Sequence, residues 1–172
     1  MVIFLSMRYL TLLVFLFLTS ACGEFAPRLE PGDLVALDPD FSPSVTRNLI
    51  AGCAEWNEAL PLLQIKCETS YVGDWHVQKA SLKGRIGRTE YSAPLIRIDS
   101  DQILALLGHV SYIKHNMMHE LGHALGFHDH LDDDSAIMDN VSPEIKCIDA
   151  RSLSVILEIR PELEEGAHPT CK

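Results

Sequence analysis

One short stretch, from His119 to Asp129, constrains this chain more than any other: His-Glu-Leu-Gly-His-Ala-Leu-Gly-Phe-His-Asp. His119 and His123 are four residues apart, so on an α-helix they lie on the same face, and Glu120 follows the first of them. The apolar residues around them fall on the opposite face: Met117, Met118, Leu121, Ala124 and Leu125. The spacing predicts a helix from about Ser111 to Gly126, with one face on the core and the other free for chemistry.

Two histidines one helical turn apart predict a metal site. A zinc ion that activates water takes three protein ligands and keeps one position open. His119 and His123 supply two nitrogens, and Glu120, about 100° round the helix, is placed to act as a general base on the water. Gly126 predicts a sharp turn that returns the chain toward the histidines. Three candidates for the third ligand follow that turn: His128, Asp129 and His130.

The full pattern H-E-x-x-H-x-x-G-x-x-D resembles that of the metzincins, a family of zinc endopeptidases, in the snapalysin variant that has aspartate at the last position. Met138, in Ser-Ala-Ile-Met, resembles the methionine of the Met-turn that packs beneath the zinc ligands of metzincins. The resemblance implies Zn²⁺ as the cofactor, with His119, His123 and Asp129 as ligands. It also implies Glu120 as the general base and an extended protein or peptide segment as the substrate. Only residues 119–138 carry specific motifs.

The order of predicted elements favours an α+β fold. Helices are predicted at Ser44–Leu60 and Ala150–Ile159, and strands at Leu62–Tyr71, Val77–Leu82 and Leu95–Ile98. This order resembles the zincin domain of metzincins, which has a small twisted mixed sheet, an N-terminal helix, an active-site helix and a C-terminal helix. The resemblance makes Leu95–Ile98 the edge strand of the cleft, where an extended peptide would add by main-chain hydrogen bonds.

The first residues predict export rather than a folded core. Tyr9–Leu18 is almost entirely apolar but too short to span a bilayer, so residues 1–21 are predicted to be a signal peptide, with translation starting at Met1 or Met7. Small residues precede Cys22 as in a bacterial lipobox, which predicts a lipidated N-terminus and a membrane anchor. Residues 22–40 are then a tether, and residues 41–172 the catalytic domain. We expect the protein at the cell envelope, in the outer membrane if the cell is Gram-negative, or secreted.

The remaining cysteines and the net charge bear on compartment and partners. Without Cys22, four cysteines are left, which fits two disulfides in an oxidising compartment. Three pairings are possible, and proximity in sequence favours the pairs Cys53–Cys67 and Cys147–Cys171. The formal net charge is -10 and there is no basic stripe, so the sequence argues against a nucleic-acid partner. We expect a monomer.

Two alternative interpretations remain open from the sequence. In the first, the protein is a gluzincin-type peptidase whose third ligand is a glutamate on a later helix, such as Glu144. In the second, it is a surface lipoprotein that binds zinc without catalysis. The presence of Glu120 favours an enzyme, because a binding module needs no general base. Zinc content, together with protein digestion with and without a chelator, would separate these alternatives.

Overall fold

The computed structural model describes residues 26–133, 135–139 and 147–171. Several sequence predictions lie outside these residues: the signal peptide, the lipidated Cys22, the choice between Met1 and Met7, and a role for Glu144. Within the described ranges the chain has four α-helices and one five-stranded mixed sheet, which confirms the α+β class.

The sheet positions a polar strand at one edge. The strands are β1 (Leu34–Leu37), β2 (Lys66–Thr69), β3 (Trp75–Lys79), β4 (Gly87–Glu90) and β5 (Leu95–Ile98), in the spatial order β2-β1-β3-β5-β4. All neighbouring strands are parallel except β4, which runs antiparallel to β5. In this order β4 forms one outer edge of the sheet and β2 forms the other.

All four helices contribute buried side chains to one core. They are α1 (Pro43–Ala59), α2 (Ser100–Leu107), α3 (Ser111–Ala124) and α4 (Ala150–Ile159), followed by a short 3₁₀ turn at Pro161–Leu163. The side chain of Ser42 caps α1 and Pro43 lies in its first turn. The indole of Trp56 on α1 donates a hydrogen bond to the carbonyl oxygen of Met118 on α3, at 2.8 Å. This contact ties the two helices together inside the core.

The folded part of the chain begins earlier than the sequence predicted. Leu34–Leu37, assigned to the tether, forms β1 between β2 and β3. The backbone N–H of Leu29 donates to the carbonyl oxygen of Ala124 at the end of α3, and Leu29 is fully buried. The strand was missed because a central parallel strand is covered on both faces, so its short apolar run shows no alternation.

The predicted edge strand is also corrected. Leu95–Ile98 does form a strand, but it pairs with β3 on one side and with β4 on the other, so it is interior. The edge strand is Gly87–Glu90, whose sequence Gly-Arg-Thr-Glu carries almost no apolar signal. The strand predicted at Val77–Leu82 begins and ends earlier, at Trp75–Lys79.

Both favoured disulfides are present. Cys53–Cys67 joins α1 to β2, and Cys147–Cys171 joins the residues before α4 to the C-terminal segment. Their presence fits an exported protein. In the part of the chain that the structure describes, no helix combines the length and the apolar character needed to cross a bilayer.

Candidate metal centre

The helix α3 carries the predicted metal-binding motif and is buried on nearly all sides. The expected packing face is buried, but so are His119, Glu120 and His123, which are each less than a tenth exposed. One side of the helix packs on α1 and the other faces the edge strand β4. The two histidines therefore lie at the floor of a cleft and not on an open surface.

Backbone carbonyls fix how the two histidine rings are turned. The Nδ1–H of His119 donates to the carbonyl oxygen of Ile137, at 2.9 Å, and the Nδ1–H of His123 donates to that of Phe127, at 2.5 Å. Because Nδ1 carries the proton in each neutral ring, Nε2 presents a lone pair. Carbonyl partners of this kind commonly orient the histidines of metal sites.

The Nε2 atoms of His119 and His123 converge with that of a third histidine, His130. Nε2 of His119 lies 3.1 Å from Nε2 of His123 and 3.2 Å from Nε2 of His130. Since neither His119 nor His123 has a proton on Nε2, these nitrogens repel each other unless a cation lies among them. With Zn–N bonds of about 2.0–2.1 Å, tetrahedral ligand nitrogens are about 3.3 Å apart. The spacing therefore fits a metal ion, and we call these residues the histidine cluster.

Burial keeps His119 and His123 in the neutral form that binds metals. The pKa of His119 is lowered to about 3, mainly because the ring is removed from water and then because His123 is close. Burial likewise lowers the pKa of His123 to about 4, with a further contribution from His130. Both rings are thus uncharged over the whole physiological range, as metal ligation requires.

The turn after α3 determines which residue reaches the cluster. Gly126 adopts a positive φ of 112°, and the N–H groups of Phe127 and Gly126 bond back to the carbonyls of Gly122 and His123. This is a Schellman ending, and it reverses the chain as predicted. Beyond this turn, the N–H of Leu131 donates to the carbonyl oxygen of Met138, at 2.9 Å. This hydrogen bond holds the preceding residue, His130, beside His119 and His123.

Of the three predicted candidates for the third ligand, the structure brings His130 to the site. His119, His123 and His130 form the group of potential ligands found among the described residues, and Asp129 is exposed and not part of it. His128 is also exposed, and its ring packs on Tyr91 with centroids 4.3 Å apart. No local sequence feature indicates this choice, because neighbouring side chains in a loop can point in different directions.

Met138 occupies the position that the sequence predicted for a supporting residue. It is fully buried, and its sulfur lies so close to Gly122 that any Cβ at residue 122 would overlap it. Asp139 N–H bonds to the carbonyl oxygen of Ala136 in a tight turn. The neighbouring residue Ile137 provides the carbonyl that orients His119. The turn thus contacts the helix that carries His119 through both packing and a hydrogen bond.

Glu120 lies next to the cluster and against the edge strand. It is only 4% exposed, and the hydroxyl of Thr89 on β4 donates to its Oε2 at 2.7 Å. Burial raises the pKa of Glu120 to about 7, and the Thr89 hydrogen bond opposes part of that rise. A carboxyl group with a pKa near neutrality can both accept and release a proton at physiological pH.

The cluster and Glu120 open into a cleft of about 690 Å³ between β4 and the helices α2 and α3. Residues that the sequence analysis did not single out line it, namely Gly87, Thr89 and Asn116. Neither a polar edge strand nor an asparagine within a helix gives a sequence signal for such a role. His115 lies in the cleft wall and outside the histidine cluster. Asp133 lies in a surface turn, where it accepts a hydrogen bond from Ser135 and pairs with Arg151.

In comparisons with known proteins, no protein-family model matches this chain and no curated protein sequence matches it.

Proposed function

We propose that the protein is a zinc-dependent endopeptidase of metzincin type that hydrolyses peptide bonds within extended protein segments. The observation that carries the proposal is the convergence of three histidine nitrogens directly beside a buried glutamate, His119, His123 and His130 beside Glu120. A site that only stored or presented a metal would gain nothing from burying a carboxyl group there, because its desolvation is costly.

The proposed mechanism gives each polar residue one task. When bound by the three histidines, zinc would supply Lewis-acid chemistry, polarising a water molecule and the peptide carbonyl. Glu120 accepts a proton from the attacking water and delivers it to the leaving amine. Thr89 holds Oε2 of Glu120 in place. The carbonyls of Ile137 and Phe127 keep the histidine rings in their ligating orientation.

The third ligand in this proposal is His130 and not Asp129. The resemblance to snapalysins favours Asp129, since it stands three residues after Gly126. The proximity of His130 Nε2 to His119 Nε2 favours His130, the residue after Asp129. The pattern would then be H-E-x-x-H-x-x-G-x-x-x-H, one residue longer than in the metzincin motif.

The proposed substrate is a polypeptide in extended conformation. The strand β4 lies at the edge of the sheet, and its residues Gly87 and Thr89 line the cleft beside Glu120. An extended peptide could pair with the free side of this strand by main-chain hydrogen bonds and cross the histidine cluster. The two disulfides support a substrate outside the cytoplasm, and anchoring through a lipidated Cys22 is part of the same proposal.

Metal content and protease activity, measured on the same sample, test this function. Purified protein should contain one zinc ion per chain and digest casein. A chelator should stop digestion, and added zinc should restore it. Glu120→Gln should lose at least about 100-fold in kcat/KM while keeping its zinc, and the exposed Glu158→Gln serves as the matched control.

Each alternative has its own outcome in this experiment. Zinc without hydrolysis of any protein or peptide substrate would indicate a surface module that binds metal but is not an enzyme. Hydrolysis with loss of zinc in Glu144→Ala, and not in His130→Ala, would indicate a gluzincin-type ligand set. Full activity of Glu120→Gln would rule out the proposed general base.

A further inference from the structure

Asn116 on α3 has a buried carbonyl oxygen without a donor. The residue is 4% exposed, and among the described residues no hydrogen-bond donor reaches its Oδ1. It lies one helical turn before Glu120 and lines the cleft. Leaving a buried polar group unpaired is costly, and such groups are rare in native proteins. The orphaned oxygen therefore suggests a ligand that brings its own donor.

The surroundings of Asn116 are part of the same cleft as the histidine cluster, and we call this part the Asn116 pocket. Gly87 on the edge strand faces both Asn116 and Glu120, and any side chain at residue 87 would overlap them. The walls farther out come from Arg85 and from Gln102 and Leu106 on α2. Arg85 is exposed and makes no ion pair with any residue in the described ranges. The pocket thus has a buried acceptor at its base and an exposed cationic side chain near its mouth, whose charge also acts on Glu120.

We propose that the Asn116 pocket binds the carboxamide side chain of a glutamine or asparagine in the substrate, which makes this residue type the preferred one next to the cleaved bond. This proposal rests on the proposed peptidase function. The amide NH₂ would donate to Oδ1 of Asn116, while the amide oxygen would accept from the Arg85 guanidinium.

The position of the pocket assigns the side of the cleaved bond. In the proposed mechanism Glu120 protonates the leaving amine, so the residue that carries this amine lies on the Glu120 side of the histidine cluster. The Asn116 pocket adjoins Glu120 on that side, through Gly87. The bound carboxamide therefore belongs to the residue that directly follows the cleaved bond.

A carboxamide satisfies this pocket better than the alternatives. A carboxylate would pair with Arg85 but would leave Oδ1 of Asn116 without a donor and place a second oxygen near it. An apolar side chain would bury both polar groups without partners. A lysine would donate to Oδ1 but would be repelled by Arg85.

A series of peptides that differ only at the residue after the cleaved bond tests the proposal. Glutamine should give a kcat/KM at least about 10-fold higher than isosteric glutamate, and similarly higher than leucine, since one buried hydrogen bond is at stake. A preference for glutamate would show that Arg85 decides the specificity, and a preference for leucine that the pocket is apolar in effect. Either result would overturn the proposal.

Two variants and a binding measurement separate this proposal from the proposed function. Asn116→Leu should reduce the glutamine-to-leucine ratio to about one, whereas the same exchange outside the cleft, Asn48→Leu, should leave the ratio unchanged. Binding of the same peptides to zinc-loaded Glu120→Ala can be measured by calorimetry without turnover. The glutamine peptide should bind more tightly than the glutamate and leucine peptides. Absence of cleavage with glutamine-selective binding would contradict only the peptidase function. Equal binding of all three peptides would contradict the pocket.

Discussion

The sulfur of Met138 occupies the space that a side chain on Gly122 would need. Gly122 lies between His119 and His123, so Met138 packs against the turn of α3 that carries these two histidines. The residue before it, Ile137, orients the ring of His119 through its carbonyl oxygen. The position of the histidine cluster therefore depends on a close contact between this turn and the helix.

This contact predicts the effect of Gly122→Ala. The added methyl group would displace Met138, and overpacking of this kind typically costs about 1–3 kcal/mol. We expect a lower free energy of unfolding in denaturant titration and weaker zinc binding. Met138→Ala should cost stability by leaving a cavity, but it should relieve part of the defect of Gly122→Ala. Additive losses in the double-mutant cycle would show that the two residues do not interact.

The choice of third ligand predicts different metal affinities for neighbouring variants. His130→Ala should weaken zinc binding by at least about 100-fold, because it removes one of three nitrogens. Asp129→Ala and His128→Ala should change it much less. Competition with a chromophoric chelator measures all three. A large loss in Asp129→Ala alone would return the ligand role to the residue that the metzincin resemblance indicates.

Thr89 is predicted to position the general base without contributing to metal binding. Thr89→Val keeps the shape of the side chain but removes the hydroxyl that donates to Glu120. We expect kcat to fall about 10- to 100-fold with unchanged zinc content, since a hydrogen bond to a charged group is worth about 1.5–3 kcal/mol. Thr89→Ser should recover most of the activity. Thr69→Val, at an exposed position on β2, is the matched control.

The raised pKa of Glu120 predicts how stability depends on pH in the metal-free protein. Between pH 4.5 and about 7 the folded state holds a proton on Glu120 that the unfolded state releases, so the contribution of Glu120 to the free energy of unfolding falls as pH rises through this window. The lowered pKa values of His119 and His123 act in the opposite direction, in the wild type and in Glu120→Gln alike, so the effect of Glu120 is the difference between these two proteins. The loss amounts to about 3 kcal/mol, at about 1.4 kcal/mol for each pH unit. Glu120→Gln should lack this component.

Stability curves of the wild type and Glu120→Gln measured from pH 4 to pH 8, without metal, check the prediction. The free energy of unfolding of Glu120→Gln should increase relative to that of the wild type as pH rises, and the difference should become constant above about pH 7. Glu158→Gln should track the wild type. Parallel curves for Glu120→Gln and the wild type would show that Glu120 has an ordinary pKa in the folded state.

The sequence by itself determined the local features. Helical spacing gave α3, with His119 and His123 on one side, and Gly126 gave its end. Ala150–Ile159 and Leu95–Ile98 were also predicted at their observed bounds, because apolar periodicity is a local property. Proximity along the chain favoured the two disulfides that are present.

Only the tertiary structure decided the features that depend on distant segments. Strand β1 was missed because burial on both faces removes alternation, and the edge strand β4 was missed because its polar residues face the cleft. His130 approaches the histidines because Leu131 bonds to Met138, a contact between loops that no local spacing encodes. The proposed roles of Thr89 and Asn116 depend on the packing of β4 beside α3. The sequence thus specified the motif, and packing selected the side chains that complete the site.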